Sequence, residues 1–433
     1  MWKKEEADAY LKNVEKAGSI LGLTSIRSLM EELLNVQDSL AYIHVAGTNG
    51  KGSVCAMMQS ILIEAGWKVG MYTSPAVFDY YERYQINGIN IEAEVFTKLL
   101  YQVKEGCDRM LAKGDSQPTI FEVETAVAFL YFAQMQCDIV ILETGMGGAS
   151  DATNIIRKPL ISILTSVSLD HMNFLGTTIE EIAKVKAGII KEEIPVVTGV
   201  TQQKALEVIQ ETVKEKNACL IQTKIRKDSK VNFQNNRLCF TYEELGEIKL
   251  QMLGKYQIQN AACAIEAAKL LQGTPWKVTN EQIKKGIENT RWNGRFSILQ
   301  EHPLIVLDGA HNEDAVKKLR ETLEMGFTNH RIVYIIGVLA DKEYEKMLRT
   351  MLPLAQRVFT VTPSSKRALN GAVLAETASR FHQNVTYVPN IKQALEQALL
   401  ETRQEESMIL AFGSLSYLGE IKTAFKEIDK DDR

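Results

Sequence analysis

One stretch of the chain has the residue types and spacing to hold a triphosphate: His44-Val45-Ala46-Gly47-Thr48-Asn49-Gly50-Lys51-Gly52-Ser53. Glycines let the main chain turn tightly and aim N–H groups at phosphate oxygens. The start of a following helix adds partial positive charge. Lys51 can reach the outer phosphates, and Ser53 can face a phosphate-bound magnesium. The usual phosphate loop places Ser or Thr directly after the Lys, with a further Gly early in the loop. Here Gly52 follows Lys51 and Val45 holds the early position, so this is a variant of that loop. The plain alternative is a Gly-rich turn that binds nothing. The order strand, loop, Lys, helix argues against it.

Four further residues have chemical potential. Glu143 closes an apolar run and precedes Thr144-Gly145-Met146-Gly147-Gly148. A carboxylate at the carboxyl edge of a parallel sheet is placed to hold magnesium, and a Gly-rich turn leaves a ligand room. His171 follows Asp170; a lone His is usually structural, and imidazole is an unusual partner for so hard an ion. Ser74 precedes Pro75, which by itself reads as a helix start. Lys186 sits in Ile182-Ala-Lys-Val-Lys-Ala-Gly-Ile-Ile190 and on its own reads as a solvated lysine. No Ser-His-Asp arrangement has to be invoked and no cysteine is required as a nucleophile, and no Rossmann GxGxxG follows the first strand.

The elements that must position these residues alternate between strand and helix. Ala41–Gly47 reads as a strand and Ser53–Ala65 as a helix. Strands follow at Lys68–Thr73, Asp138–Glu143, Leu160–Val167 and Pro195–Val200, with a helix over Thr125–Met135. Continuous Val/Ile/Leu runs between helices predict a parallel sheet covered on both faces. Residues from about 218 to 252, with Arg237–Tyr242 and Glu247–Met252, predict a small antiparallel β appendage, and a helix over about Lys255–Leu271 follows. The pattern restarts near Asn293–Phe296, with strands at Leu304–Asp308, Ile332–Leu339, Val358–Thr362, Val385–Pro389 and Met408–Phe412. The expected fold is α/β. Residues 1–297 form a phosphate-loop-type parallel-sheet ATPase domain carrying the appendage. Residues 298–433 form a smaller Rossmann-like α/β domain.

Composition narrows the function classes. With 50 Lys and Arg against 54 Asp and Glu the net charge is −4, which argues against nucleic acid as the main partner. Six cysteines lie far apart, without zinc spacing, and read as reduced core thiols of a cytosolic protein. Met1-Trp2-Lys3-Lys4-Glu5-Glu6 shows no secretory h-region, and no apolar run reaches the ~18–20 residues of a membrane span. The expectation is a cytoplasmic monomer acting on small molecules, with neither nucleic acid nor membrane as partner.

The loop Gly47–Ser53 resembles that of the Mur-ligase superfamily, and especially of folylpolyglutamate and dihydrofolate synthases. The likeness continues in order along most of the chain. It runs through Thr73-Ser74-Pro75, Glu82-Arg83 and Asn87-Gly88, Thr119-Ile120-Phe121-Glu122, and Glu143–Gly148 with Asp151-Ala152-Thr153-Asn154. It goes on through Leu169-Asp170-His171, Lys186–Ile189, Gln257–Asn260, Gly294-Arg295, Asp308–Asn312 and Ala340-Asp341-Lys342. Ala76-Val77, Ala149-Ser150 and Asn293 stand where that family commonly has His-Leu, Arg-Leu and Pro; the first two pairs lie near the expected pterin side.

The resemblance implies ATP-dependent amide formation. The γ-phosphoryl group moves to a carboxylate, and the amine of L-glutamate attacks the resulting acyl phosphate. It implies ATP binding by Gly47, Thr48, Asn49, Gly50, Lys51, Gly52, Ser53, Asn260, Arg295 and Asp308. Two magnesium ions would be held by Ser53, Ser74, Glu143, His171 and Lys186, the last as a carbamate; Lys51, His171 and Lys186 count as catalytic. Thr119, Ile120, Phe121, Glu122, Asp151 and Ala152 would touch folate. His311 and Asn312 have a smaller claim, their plain reading being helix capping. The resemblance leaves the acceptor open between the γ-carboxyl of a reduced folate and dihydropteroate. Two alternatives stand beside it. One is a Mur-type ligase acting on a cell-wall nucleotide peptide, against which Thr119–Glu122 and Asp170-His171 speak. The other is a non-catalytic nucleotide-binding regulator, which would not need to keep Lys51, Glu143, His171 and Lys186 together.

Overall fold

A computed structural model describes the chain apart from residues 1, 17, 19–21, 226–230, 403–405 and 432–433, and apart from the side chains of 173, 430 and 431. It divides into two units whose boundaries do not follow the chain. The first comprises Met1–Ala76, Tyr80–Lys227 and Gln259–Asn289; the second comprises Val77–Asp79, Asp228–Ile258 and Thr290–Arg433.

The first unit is built on an eight-stranded sheet. Its strands are β1 (Tyr42–Ala46), β2 (Val69–Tyr72), β3 (Tyr84–Ile86), β4 (Ile89–Asn90), β5 (Ile139–Glu143), β6 (Ile161–Leu164), β7 (Val196–Thr198) and β8 (Leu220–Gln222). The order is β4-β3-β2-β5-β1-β6-β7-β8, parallel from β2 to β8, with β3 and β4 added antiparallel at one edge. β1 and β5 are fully buried, as their unbroken apolar runs require of strands covered on both faces. The central strand β1 pairs β5 on one side and β6 on the other, with Val45 opposite both Glu143 and Ile163. The loops leaving β1, β2, β5 and β6 therefore share one sheet edge. That is where an open α/β sheet binds ligands.

Helices fix the phase of the residues they carry. Thr178 and Glu181 form a capping box at the start of the Ile179–Ala187 helix, and Lys186 falls in its last turn on the buried face. The Ile120–Gln134 helix is buried almost all round. It starts earlier than its periodicity suggests, because Thr119 and Glu122 form another capping box.

The second unit holds two sheets. The small one, β11-β10-β9, is antiparallel, with β9 at Asn232–Gln234, β10 at Arg237–Tyr242 and β11 at Gly246–Leu250. The large one runs β12-β13-β17-β14-β15-β16. Its strands are β12 (Ser297–Glu301), β13 (Leu304–Leu307), β14 (Arg331–Ile336), β15 (Ala355–Thr360), β16 (Val385–Tyr387) and β17 (Ser407–Phe412). All its pairings are parallel except β12 with β13. The appendage expected on the N-terminal domain groups here instead. The reason is packing: Phe233 of β9 meets Phe327 at 5.6 Å between ring centroids, and Phe327 in turn meets Phe296 at 5.2 Å. Residues 226–230 of the expected appendage lie outside the described residues. The division at Asn289/Thr290 falls upstream of the boundary expected near 297. No helix among the described residues is long and apolar enough to cross a membrane.

Candidate active site

The loop after β1 leads into the Lys51–Glu64 helix, whose N-cap Gly50 is left-handed at φ 89°. Among the described residues no side chain caps this helix, and its start carries the positive end of the helix dipole. The loop is held from the β6 side. Thr48 N donates to Ser166 O at 2.8 Å and Asn49 N to Ser166 Oγ at 2.9 Å. Asn49 O accepts from Thr165 Oγ1 at 2.7 Å and from Ser166 Oγ at 2.9 Å. Thr48 Oγ1 also accepts from Ser168 N at 3.0 Å. The only trace of this hydroxyl clamp in the sequence is the run Thr165-Ser166-Val167-Ser168 at a strand's carboxyl end.

Gly47 has φ 156°, and a Cβ there would sit 1.9 Å from Thr165 Oγ1, so the clamp admits only glycine. Asn260, far along the chain, lies against the loop: a Cβ on Gly50 would be 2.3 Å from its Oδ1. Lys51 curls back over the loop, its Nζ donating to Gly47 O at 3.2 Å and lying 3.9 Å from Glu143 Oε1. Ser53, two residues on, is fully buried. Ser74 N donates to Glu143 Oε2 at 3.4 Å, so the loops after β1, β2 and β5 converge on this carboxylate.

Lys186 is not solvated. It is 3% exposed, and its Nζ donates to Gly47 O at 3.0 Å. Burial, reinforced by the nearby Lys51 charge, pulls its pKa down to about 7, while Asp170 pulls the other way. At neutral pH a large share of this amine is therefore uncharged. His171 is left-handed at φ 50°, half-buried, and its N–H donates to Asp170 Oδ1 at 2.9 Å.

The hard oxygens of Glu143, Ser53 and Ser74 suit a magnesium ion. Among the described residues Thr144 Oγ1, next to Glu143, is buried without a hydrogen-bond partner, which marks this turn as a place with polar capacity to spare. The described residues contain no cluster of three His, Cys, Asp or Glu able to hold a metal.

Part of the expected folate segment is occupied by the chain itself. Glu122 accepts from Thr119 N at 2.7 Å and from Ile26 N at 3.1 Å, and Thr119 Oγ1 accepts from Glu122 N at 3.3 Å. Burial raises the pKa of Glu122. Ile120 and Phe121 stay part-exposed. Phe121 stacks on Tyr72, with centroids 6.0 Å apart and planes at 27°, and a Cβ on Gly145 would strike its ring at 2.5 Å. Tyr72 is braced by the buried ion pair Arg83–Glu124, the guanidinium lying 5.8 Å from the Tyr72 ring centre. Asp151 is fully buried, as is Ala152, and burial raises the pKa of the Asp151 carboxyl.

In the second unit Asp308 closes β13 and is also buried. Its Oδ2 accepts from Tyr256 Oη and Phe296 N, each at 2.8 Å, and its Oδ1 from Ala310 N at 2.8 Å. A carboxylate offers about four lone-pair sites, so most of its capacity is spent inside the chain. Tyr256 had no signal in the sequence. Arg295 is half-buried and donates from Nη1 to Gly294 O at 3.3 Å; Asn312 Oδ1 caps the Glu313–Gly326 helix.

A phosphate-loop unit followed by a second α/β unit is the architecture of a Mur-type ligase. Residues 45–268 match the Mur ligase middle domain and residues 294–415 the Mur ligase glutamate ligase domain. The chain belongs to the dihydrofolate synthase/folylpolyglutamate synthase family of these ligases. It is 36% identical over 434 residues to the dihydrofolate synthase/folylpolyglutamate synthase of Bacillus subtilis, covering 98% of this chain and 99% of that protein. It resembles the crystal structure of folylpolyglutamate synthase from Thermotoga maritima with a TM-score of 0.83 and 32% identity, over 97% of this chain and 96% of that one. It also resembles an Escherichia coli protein solved in complex with DHPP and ADP, with a TM-score of 0.85 and 28% identity, over 99% and 98% of the two chains.

Proposed function

We propose that this ATP-dependent ligase joins L-glutamate to the γ-carboxyl of a reduced folate, and that dihydropteroate is the second acceptor to test at the same site. The observation that carries the reading is the convergence on the phosphate loop. Lys51 curls over it, Glu143 lies 3.9 Å from that ammonium, and Lys186 is buried against the Gly47 carbonyl.

A carboxylate accepts an amine poorly because oxide is a poor leaving group. Moving the γ-phosphoryl group of ATP onto it replaces oxide with phosphate. The glutamate amine then attacks the carbonyl carbon, the tetrahedral intermediate expels phosphate, and the amine proton leaves to solvent. In this scheme the loop amides and the helix start bind the β- and γ-phosphates, and Lys51 offsets the negative charge that builds on the β–γ bridging oxygen as ADP leaves. Asn260, against Gly50, supplies an amide to the adenine side, and Arg295 is the cation its own unit offers to phosphate. Phe121 on Tyr72 gives a flat ring system a stacking face.

Magnesium, when bound through Glu143, Ser53 and Ser74, neutralises phosphate charge. His171 remains a proposed further ligand. The burial of Lys186 supports its carbamylation: its uncharged amine would add carbon dioxide, lose a proton and become an oxygen ligand. The test is an acceptor panel of dihydropteroate, tetrahydrofolate and methylenetetrahydrofolate, each with ATP, magnesium and L-glutamate, reading ADP release. Acceptor-dependent release is expected, and it should fall by about 10²–10³ or more in Lys51→Ala. Turnover with a muramyl nucleotide peptide and none with the panel would overturn the substrate.

A further inference from the structure

One buried chain of hydrogen bonds links β1, which leads into the phosphate loop, to the turn after β5. His44 lies within β1, is fully buried, and its Nε2 is 2.8 Å from Thr153 Oγ1. Thr153 Oγ1 donates to Asp151 Oδ1 at 2.6 Å, and Thr153 N donates to the same oxygen at 3.1 Å. The other oxygen, Oδ2, accepts from Met146 N at 2.8 Å. A hydroxyl has one proton. Since Thr153 gives that proton to the carboxylate, it accepts from His44 Nε2–H, and burial, which lowers the imidazole pKa to about 3, keeps the ring neutral. The buried Nδ1, which has no partner among the described residues, is then a lone pair rather than a stranded N–H.

The plain reading of Asp151 is the cap of the short helical turn Ala152–Ile155, and the Thr153 N bond is that cap. Capping uses one oxygen and does not require a second acceptor bond to Met146 or a histidine behind the threonine. Met146 follows Gly145, which packs against the Phe121 ring. The relay thus ties the strand that aims the phosphate loop to the turn that backs the stacking face.

We infer that His44 and Thr153 are positioning residues: acting through Asp151, they fix the Gly145–Met146 turn relative to the phosphate loop, and so place the acceptor's carboxyl against the γ-phosphate. The inference rests on the ligase reading above. Neither residue touches a reacting atom.

The test is steady-state kinetics of Thr153→Val, which keeps the shape and removes the hydroxyl, beside Thr153→Ser and His44→Gln, which keep a hydroxyl and an N–H donor. Thr153→Val should raise the acceptor KM or lower kcat by about tenfold or more, the loss expected when a hydrogen bond to a charged group goes. Its KM for ATP should stay within about twofold. Thr153→Ser should keep most of what Thr153→Val loses, and His44→Gln most of what His44→Leu loses. A Thr153→Val enzyme with wild-type acceptor kinetics, or with ATP and acceptor KM raised alike, overturns the inference. Should Thr153→Val not fold, the same comparison between Thr153→Ser and wild type with His44→Leu decides it. A separate readout does not depend on ligase activity: the ¹⁵N signals of His44 should show the Nε2–H tautomer in wild type and lose that pattern in Thr153→Val. An Nδ1–H tautomer in wild type sinks the relay while leaving the ligase reading intact. No acceptor-dependent turnover in wild type, with the Nε2–H tautomer present, sinks the ligase reading and the kinetic inference built on it.

Discussion

Lys186 is the residue whose meaning changes most between sequence and structure. Its ordinary value near 10.4 would keep it charged. Buried against the loop it sits at about 7. The sign of the pH effect follows. Below pH 7 the ammonium is charged in both folded and unfolded chains, and the folded state bears the full cost of burying it. Between about 7 and 10.4 the unfolded chain holds a proton that the folded chain has lost, so stability rises with pH. Lys186→Met removes the charge at similar volume. It should melt higher than wild type at pH 6 in CO₂-free buffer, and the gap should narrow by pH 9; a gap that widens contradicts the burial argument. The same variant should lose turnover. ¹³C-bicarbonate should give wild type a carbamate resonance that Lys186→Met lacks.

At the scale of elements, the loop after β1 depends on the loop after β6. Helix dipole and glycine content were legible from the sequence, because both follow from local composition. The clamp by Thr165, Ser166 and Ser168 was not, because it needs β6 paired directly beside β1, a long-range fact. Gly47→Ala tests the clamp. Its Cβ would overlap Thr165 Oγ1, and φ 156° suits no side chain. Strain of this kind costs about 1–3 kcal/mol. Calorimetric ADP binding should weaken by about tenfold or more, and the melting temperature should drop by several degrees. Wild-type ADP affinity would mean that the loop tolerates the change.

At the scale of the whole molecule, the chain's two units interleave in sequence. The strands β9–β11 lie between two segments of the first unit, yet they belong to the second through Phe233, Phe327 and Phe296. Replacing Phe233 by Ala should cost about 2–4 kcal/mol, somewhat below a fully buried Phe since this ring is only partly buried. The loss should appear as faster proteolysis and amide exchange within 290–431, with the sheet β1–β8 unchanged. Loosening confined to the first unit would contradict the assignment.

The sequence by itself determined the alternation of strand and helix, the Gly-rich loop with Lys51 between a strand and a helix, the strand-end acids Glu143 and Asp308, and the order of motifs that pointed to the family. These signals are local: apolar runs, glycines and a lysine at fixed spacing are visible without knowing what lies across the sheet. Only the tertiary structure decided which polar groups are already spent. It showed Glu122 turned to a capping box and Ile26, Asp308 held by Tyr256 and two amides, and Asp151 tied through Thr153 to His44. It also buried Lys186 and moved β9–β11 to the second unit. Burial and hydrogen-bond saturation depend on groups far apart in sequence that strand order brings together, so spacing along the chain does not encode them.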